Sequence, residues 1–553
     1  MATETIYHGV RSAIKRTPLW APLRSLKRYT RTKLPSEISG FAWVKEDETF
    51  HTTVHIYNYW AVNYDVQGDF ELHVSVHGTD GERLGKATFL MAPDATTSVP
   101  TSELLTRCGV DTPFEGTLIY TVKHRNIPPG LPLQGNVDFE YSSGRMTSVH
   151  GLGRYNSGWG DEWNSAITLN PKDDEDTFLV VQNPFPFKKS PSERTKQDVV
   201  QVFNYRGDKY PEDFTTPLIR ACGSATVHLE ASFPNLHEFL EGEVGWFRIW
   251  SDLSAGRYLT YGKSKNTGNW RVNHLAGAVR PGGPLWYDAE SVANLERVGI
   301  NILPFVSGGK TESEYQIYHG HDTLPEYGLD ITIHDDNGQL IVNLPNRVRV
   351  PRLGAAGFTA KELLAEAKIS SAGESFTGNI VFSISRESSH ENVPHGIPII
   401  LRLLENDFSA DVGVGPDIYN IRQLIDSKPL ESIPRIIPRT KTFARIRETD
   451  EWETSLTLIN QSSLSGYDTT SDTKITIHTP NGLDDLSATV HVPPYGSKTF
   501  RIRDLFPDIV TLLHDSGGYG FVKARDLTVR ECGFFVIRNL KTGAIASDHL
   551  YGG

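Results

Sequence analysis

Along this chain, apolar and polar residues alternate in short runs, and three of those runs stop at the same kind of turn. Phe70-Glu71-Leu72-His73-Val74-Ser75-Val76 leads into His77-Gly78-Thr79-Asp80-Gly81. Leu329-Asp330-Ile331-Thr332-Ile333 leads into His334-Asp335-Asp336-Asn337-Gly338. Lys474-Ile475-Thr476-Ile477 leads into His478-Thr479-Pro480-Asn481-Gly482. A period of two places successive side chains on opposite faces of a strand, and Asn-Gly or Asp-Gly supplies the positive φ of a tight turn. The pattern predicts three β-hairpins, each with a His at the end of its first strand.

Other features recur around these hairpins in a fixed order. An earlier strand ends in Asn at 50–58 and 452–460, and a short helical turn follows at 101–105, 358–364 and 500–506. A Gly-led strand comes next, at 116–122, 242–250, 378–384 and 518–524. The pattern closes with [Ser/Thr]-Gly-x5-His, ending at His150, His274 and His549. The interval from Gly268 to Gly543 is about twice that from Gly144 to Gly268, so one copy is missing. Repeats of this length are whole domains, and short strands with Gly/Pro turns make sandwiches or partly open barrels. The expected architecture is all-β, with four tandem antiparallel β-sandwich or barrel-like repeats at 40–153, 154–277, 300–415 and 441–553. Linkers are expected at 278–299 and, rich in proline, at 416–440, with a short basic helical arm at 1–39 in front.

Two repeats depart from the pattern. In the second, Asn204 stands where the signature has His. In the third, residues 405–412 align with the closing motif but hold neither its Gly nor its His. The stretch 409–439, with Pro429, Pro434 and Pro438, is expected to cross between domains, since proline removes a ladder donor.

Charge adds a second kind of organisation. The 553-residue chain has a formal net charge of −12, but residues 1–35 hold eight Lys/Arg against Glu4 alone. That segment is therefore +7, and the remainder −12 − 7 = −19. An acidic body argues against general nucleic-acid binding. Arg11, Lys15, Arg16, Arg24, Lys27, Arg28 and Arg31 are interleaved with Trp20, Leu23 and Leu26, the composition of amphipathic helices that dock on an anionic membrane surface. The same charges are equally suited to folding back on the acidic body. Three scattered cysteines, Cys108, Cys222 and Cys532, read as reduced thiols of a cytoplasmic protein, peripheral at the membrane if the arm docks there. No apolar run of transmembrane length is present.

Candidate chemistry is sparse. His319-Gly320-His321, with Glu326 downstream, matches His-x-His-x4-Glu, the first metal motif of cupins, and would hold a divalent metal; the second half of that motif is not recognisable. The strand-end histidines His77, His334, His478, His150, His274 and His549 either bond turn backbone or meet in a polar cluster, for which Asp548 offers a carboxylate. Trp60, Trp159, Trp163, Trp246, Trp250 and Trp270 are either domain-packing residues or stacking surfaces for a protein or glycan partner. No Gly-x-Ser-x-Gly, P-loop or dinucleotide fingerprint occurs.

In the fourth repeat, a strand ends at Asn460 and an alternating strand ends at His478. A proline-containing run then leads from Val492 to Phe500, followed by Asp504-Leu505 and a late hairpin. This order resembles the small β-sandwich of the sensory rhodopsin transducer family over about 100 residues, and less in the other repeats. The resemblance brings no catalytic signature; it implies a binding or scaffolding sandwich open to oligomeric assembly. The sequence reading is a non-catalytic multidomain β-sandwich that binds or scaffolds. The alternative is a metal-assisted enzyme acting on a carbohydrate-like substrate, with its site in repeats two or three. On the first reading no cofactor is expected; on the second, a divalent metal.

Overall fold

The computed structural model describes residues 36–57, 70–91, 96–124, 134–141, 144–150, 165–169, 175–183, 195–251, 258–265, 270–274, 276–277, 286–288, 297–298, 300–320, 325–369, 375–385, 392–394, 397–406, 408–414, 440–464, 466–479, 486–526, 529 and 531–552. Its regular structure is almost entirely antiparallel sheet. In the strand Phe70–Gly78 the alternation seen in the sequence becomes alternating burial: Phe70, Leu72, Val74 and Val76 point into the core, and Glu71, His73 and Ser75 point away from it.

The first unit contains β1 (Ser36–Glu46), β2 (Phe50–Tyr57), β3 (Phe70–Gly78), β4 (Arg83–Met91) and β5 (Thr96–Pro100). Helix α1 (Thr101–Cys108) precedes β6 (Phe114–His124), β7 (Gln134–Tyr141) and β8 (Arg145–His150). Two sheets result, in the orders β1-β6-β3-β4 and β5-β2-β7-β8. The sheets from residues 165–277, 301–414 and 440–552 repeat both orders strand for strand, and the second and fourth units each add one two-residue strand. A short helix follows the β5 equivalent every time, at Leu229–Ser232, Ala360–Glu366 and Ile502–Leu505. The third copy carries a capping box. The Thr359 hydroxyl accepts from the Glu362 N–H, and the Glu362 carboxylate accepts from the Thr359 N–H.

The units close on one another. β8 and its equivalents, Trp270–His274, Phe408–Val414 and Ile545–His549, each touch two neighbours, in the order one, two, three, four and back to one. The cores run on through these junctions. Tyr261 and Val180 of the second unit join the core of the first, and Tyr318 and Ala355 of the third join that of the second. Ile459 and Phe534 of the fourth join the third, and Phe443 and Phe521 of the fourth return to the first. Apolar burial, about 25 cal/mol per Å², thus stabilises adjacent units jointly.

The recurrent turn explains part of this closure. A Cβ added to Gly81 would lie 2.1 Å from the Ala221 carbonyl oxygen of the next unit, one on Gly207 2.0 Å from that of Arg352, and one on Gly338 2.0 Å from that of Pro494. All three glycines have φ between 83° and 89°. Two residues before each glycine, a carbonyl accepts a hydrogen bond across the junction: Ser224 N–H to Thr79 (3.0 Å), Ala355 N–H to Tyr205 (3.1 Å) and Ser497 N–H to Asp336 (3.3 Å). The facing turns carry their own glycines, Gly223, Gly354 and Gly496, each within 2.6 Å of the opposing carbonyl if given a Cβ. Residues 480–485 and 92–95, which include Gly482, lie outside the described residues.

Several expectations are corrected. The hydrogen bond from Gly207 N–H to the Asn204 carbonyl matches those from Gly81 to Gly78 and from Gly338 to Asp335, so Phe203, not Asn204, occupies the signature His position. The third unit keeps its closing strand: Phe408–Val414 pairs along Ile399–Glu405 as an edge strand, because an edge tolerates sequence that lacks the motif. Residues 36–39, assigned to the arm, begin β1, and Trp286–Asp288 of the assigned linker pairs with Asn392–Pro394 as a separate ribbon. The arm itself (1–35) and the Pro-rich stretch 415–439 lie outside the described residues. Among the described residues, no helix is long and apolar enough to cross a membrane.

Gly207 and Gly242 both sit at positive φ in the second unit, but a Cβ at Gly242 meets nothing within 4 Å. Gly242→Ala should cost about 1–2 kcal/mol from backbone strain alone. Gly207→Ala should cost about 1–3 kcal/mol more, from overpacking against Arg352. Urea unfolding of the two variants measures the difference.

Candidate functional site

The strand-end histidines divide into two sets. Those of the hairpins serve the turns and junctions. His77 places Nδ1 3.2 Å from its own turn's Gly81 carbonyl and Nε2 3.0 Å from Ser75 Oγ. His334 Nδ1 accepts from Gln461 Nε2 of the fourth unit at 3.2 Å, and its ring stacks on Tyr495 at 5.6 Å. Burial, reinforced by Arg297, pushes the His334 pKa down to about 4. His478, fully buried, packs against Tyr57 of the first unit.

Of the closing-strand histidines, His274 and His549 meet where the closing strands come together. In the ladders, His549 pairs with Phe534, His274 with Leu259 and His150 with Asn136. Carrying the same register into the third unit puts Gly413, opposite Ile400, at the equivalent place. The aligned window 405–412 therefore stopped one residue short. His274 and His549 meet edge to face at 6.1 Å between ring centroids. Together with Asp548 they offer three ligand atoms within 4.8 Å of one another. His549 Nδ1 lies 3.1 Å from the Leu550 carbonyl. As the donor there, it carries the proton and leaves the lone pair on Nε2, the arrangement common in metal-binding imidazoles. Asp548 accepts from the His549 backbone N–H at 2.8 Å.

Buried ion pairs flank this hub. Arg271 of the second unit bonds both Glu175 and Asp411, a residue of the third unit's closing strand. Arg402 reaches the same aspartate at 2.9 Å. Across the hub, Asp138 of the first unit takes Arg445 of the fourth (2.8 Å), His55 (3.0 Å) and Ser148 (2.9 Å). Burial pushes both aspartate pKa values up, but the adjacent arginines, joined at Asp138 by His55, outweigh it and leave them below the ordinary carboxylate value. Arg538 clamps Glu405 with bonds of 2.7 and 2.8 Å at the junction of units three and four. Sequence reasoning missed these residues, although a signal existed: Arg402 interrupts Ile399-Ile400-Leu401 and Leu403-Leu404, and a charge inside an apolar strand needs a buried partner.

The remaining candidates separate. His319 is buried, stacked on Tyr327, with Nε2 2.8 Å from the Pro325 carbonyl. Glu326 is exposed and faces Arg349 at 3.3 Å. His321 lies outside the described residues, and the two groups of possible ligands found among those described include neither His319 nor Glu326. The second group, Asp176, His228 and Glu230, is partly exposed, and Lys265 Nζ lies 3.5 Å from Asp176.

Trp246 is not a surface residue. Its indole N–H donates to the Leu353 carbonyl of the third unit, and its ring stacks on Phe203 and Tyr318. Trp270 packs on Tyr141 and Phe50 of the first unit, and Trp250 donates to Gln201. Trp246, fully buried, and Trp270, half-buried, thus pack at junctions between units. Trp60, Trp159, Trp163 and the arm's Arg11, Lys15, Arg16, Arg24, Lys27, Arg28 and Arg31 lie outside the described residues.

No family model matches the chain, and no curated protein matches it. Partly similar solved structures include Bacteroides uniformis beta-glucuronidase 2 bound covalently to cyclophellitol-6-carboxylate aziridine. It is 10% identical over 48% of this chain and 27% of that one, with a TM-score of 0.12. Dimeric latent PorU from Porphyromonas gingivalis is 11% identical over 69% and 34%, with a TM-score of 0.11. Native E. coli alpha-2-macroglobulin is 8% identical over 92% and 28%, with a TM-score of 0.08. The chain spans about a quarter to a third of these chains. TM-scores of this size carry no argument about function.

Two predictions follow from the buried groups. Asp411→Asn removes the close carboxylate of buried Arg402, and Asp138→Asn that of buried Arg445; each should cost about 3–5 kcal/mol. Glu241→Gln, which breaks an exposed pair with Arg206, should leave the unfolding midpoint nearly unchanged, because solvent screens that pair; denaturant titration compares them. His334 titrates near 6.5 when unfolded but near about 4 when folded, so the unfolded chain binds the extra proton first. Its contribution is complete above that ordinary value and is lost as pH falls toward about 4, on the order of 3 kcal/mol. In His334→Gln the fall in Tm between neutral and acidic buffer should be smaller than in the parent.

Proposed function

We propose that the protein is a non-catalytic binding and scaffold protein, a single-chain ring of four β-sandwiches that holds its outer loops in fixed relative positions for a macromolecular partner. The observation that carries this reading is the use made of the recurrent residues. The signature glycines, His334 and His478 of the hairpins, and the ion-paired Arg271, Arg445 and Arg538 serve junctions between units, as in a frame whose purpose is fixed geometry. The sandwich resemblance of the fourth repeat points the same way, as does the absence of a nucleophile or phosphate-loop pattern in the sequence. The basic segment 1–35 adds a means of attachment. Its +7 charge precedes a −19 body, and each basic residue near an anionic leaflet contributes roughly 1 kcal/mol. Such docking is reversible and peripheral. The metal-assisted alternative at His319, His321 and Glu326 has less support, because His319 and Glu326 engage different partners.

Co-sedimentation with phosphatidylserine-containing vesicles tests the attachment. The full chain should pellet at low salt and be released by high salt, while a chain beginning at Pro35 should stay in the supernatant. Equal behaviour of the two chains would assign the arm to the protein's own acidic surface.

A further inference from the structure

We propose that His274, Asp548 and His549 bind one transition-metal ion at the hub of the ring, Zn²⁺ being the ion this ligand set suits best. The site joins the second unit to the fourth, which stand opposite one another in the order of closure. It therefore acts as a staple across the ring, where the junctions link only neighbours.

Four observations support the assignment. The residues come from two distant parts of the chain yet place three ligand atoms within 4.8 Å of one another. Tetrahedral zinc, with bonds of about 2.0–2.1 Å, spaces its ligands about 3.4 Å apart, a closure within reach of small side-chain rotations. The 6.1 Å between the two imidazole centroids is near the roughly 5–6 Å that two rings sharing one ion adopt. His549 directs its Nδ1 to the Leu550 carbonyl, which orients the ring and leaves Nε2 as the ligating nitrogen. Asp548 and His549 are buried, so a bound ion would have low-dielectric surroundings and a carboxylate to offset its charge.

The ligand set also selects among ions. Two imidazoles and one carboxylate suit zinc or cobalt better than calcium or magnesium, which favour oxygen ligands. The rival cluster at Asp176, His228 and Glu230 lacks this character: two carboxylates share one imidazole, and Lys265 already supplies a cation. The register gives the hub a further feature. Equivalent ladder positions hold His150, His274, Gly413 and His549, so the third unit contributes no side chain. The proposal does not depend on the binding or scaffold reading.

The test uses the full chain purified without a histidine tag, stripped with chelator and dialysed against Zn²⁺ or Co²⁺. Elemental analysis should find about one equivalent of zinc, Co²⁺ should give the intense visible bands of tetrahedral coordination, and Zn²⁺ should raise Tm. His274→Ala and His549→Ala should lose the bound zinc and the Tm rise, while His228→Ala keeps both. Should His549→Ala not fold, His274→Gln, at the less buried ligand, carries the same test. Failure of the parent to retain zinc, or equal zinc in the parent and the His274 and His549 variants, would overturn the proposal. So would loss of zinc in His228→Ala alone.

Discussion

At each described signature-turn junction, backbone approaches backbone so closely that one methyl group would collide with a carbonyl oxygen. This approach sets the spacing of the ring. A hairpin tip that could not come within hydrogen-bonding distance of the next unit would leave the Thr79, Tyr205 and Asp336 carbonyls without their cross-junction donors. Each cross-junction hydrogen bond contributes about 1 kcal/mol and forms only where the glycine admits the approach, so the glycine and the bond act together. The contact is mutual. The facing turn reaches it through a left-handed residue, Cys222, Leu353 or Tyr495, just before its own glycine. The strain of those non-glycine residues is held in place by the junction it creates.

Four similar units on one chain raise a question of pairing, since a unit that fits one neighbour might fit another. The residue of β6 and its equivalents that pairs with the signature His position answers part of it. Thr117 receives Gln182 at 3.3 Å, and Asn379 receives Gln461 at 2.6 Å, so at this one position junctions one–two and three–four are polar. Trp246 stacks on Tyr318 at 5.7 Å and Phe521 on Tyr57 at 5.1 Å, so junctions two–three and four–one are aromatic. A mispaired junction would set an amide against an aromatic ring and leave a buried donor unsatisfied, a cost of about 1–3 kcal/mol. The alternation disfavours pairing a polar face with an aromatic one, and chain connectivity selects among the pairings that remain.

The strands were legible because period two and Asn-Gly turns are local signals, and the residues flanking Gly81 and Gly338 fold as that pattern dictates. The closing histidines were legible as a repeat, but their convergence was not. Register relates each His to a residue on its own sheet, whereas the meeting of His274 with His549 depends on how separate sandwiches are placed. Phe203 was misaligned for a related reason: without His as a marker, only the turn hydrogen bond to Asn204 fixes the position. The tryptophans were read as two-sided, and burial decided Trp246 through a partner, Tyr318, from the next unit. Arg402 and Arg445 carried a usable signal, a charge inside a β-strand, but their partners could not be named from sequence because they lie in other strands or other units.

The hub shows what the missing copy of the closing motif does. In the third unit the ladder position equivalent to His549 is Gly413, and a Cβ there would lie 3.1 Å from the Asn273 side chain and 3.2 Å from the His274 carbonyl. These are tight contacts for a methyl group, and an imidazole would have to push the second unit's strand away. That strand also carries Arg271, whose bond to Asp411 needs the two closing strands adjacent. A histidine at 413 would therefore act against the ion pair two residues earlier as well as against His274 itself. Loss of the side chain in one unit is the condition for close approach by its neighbour. The hub is consequently not fourfold: the second and fourth units bring His274 and His549 together, and the third, with Gly413, supplies room for them.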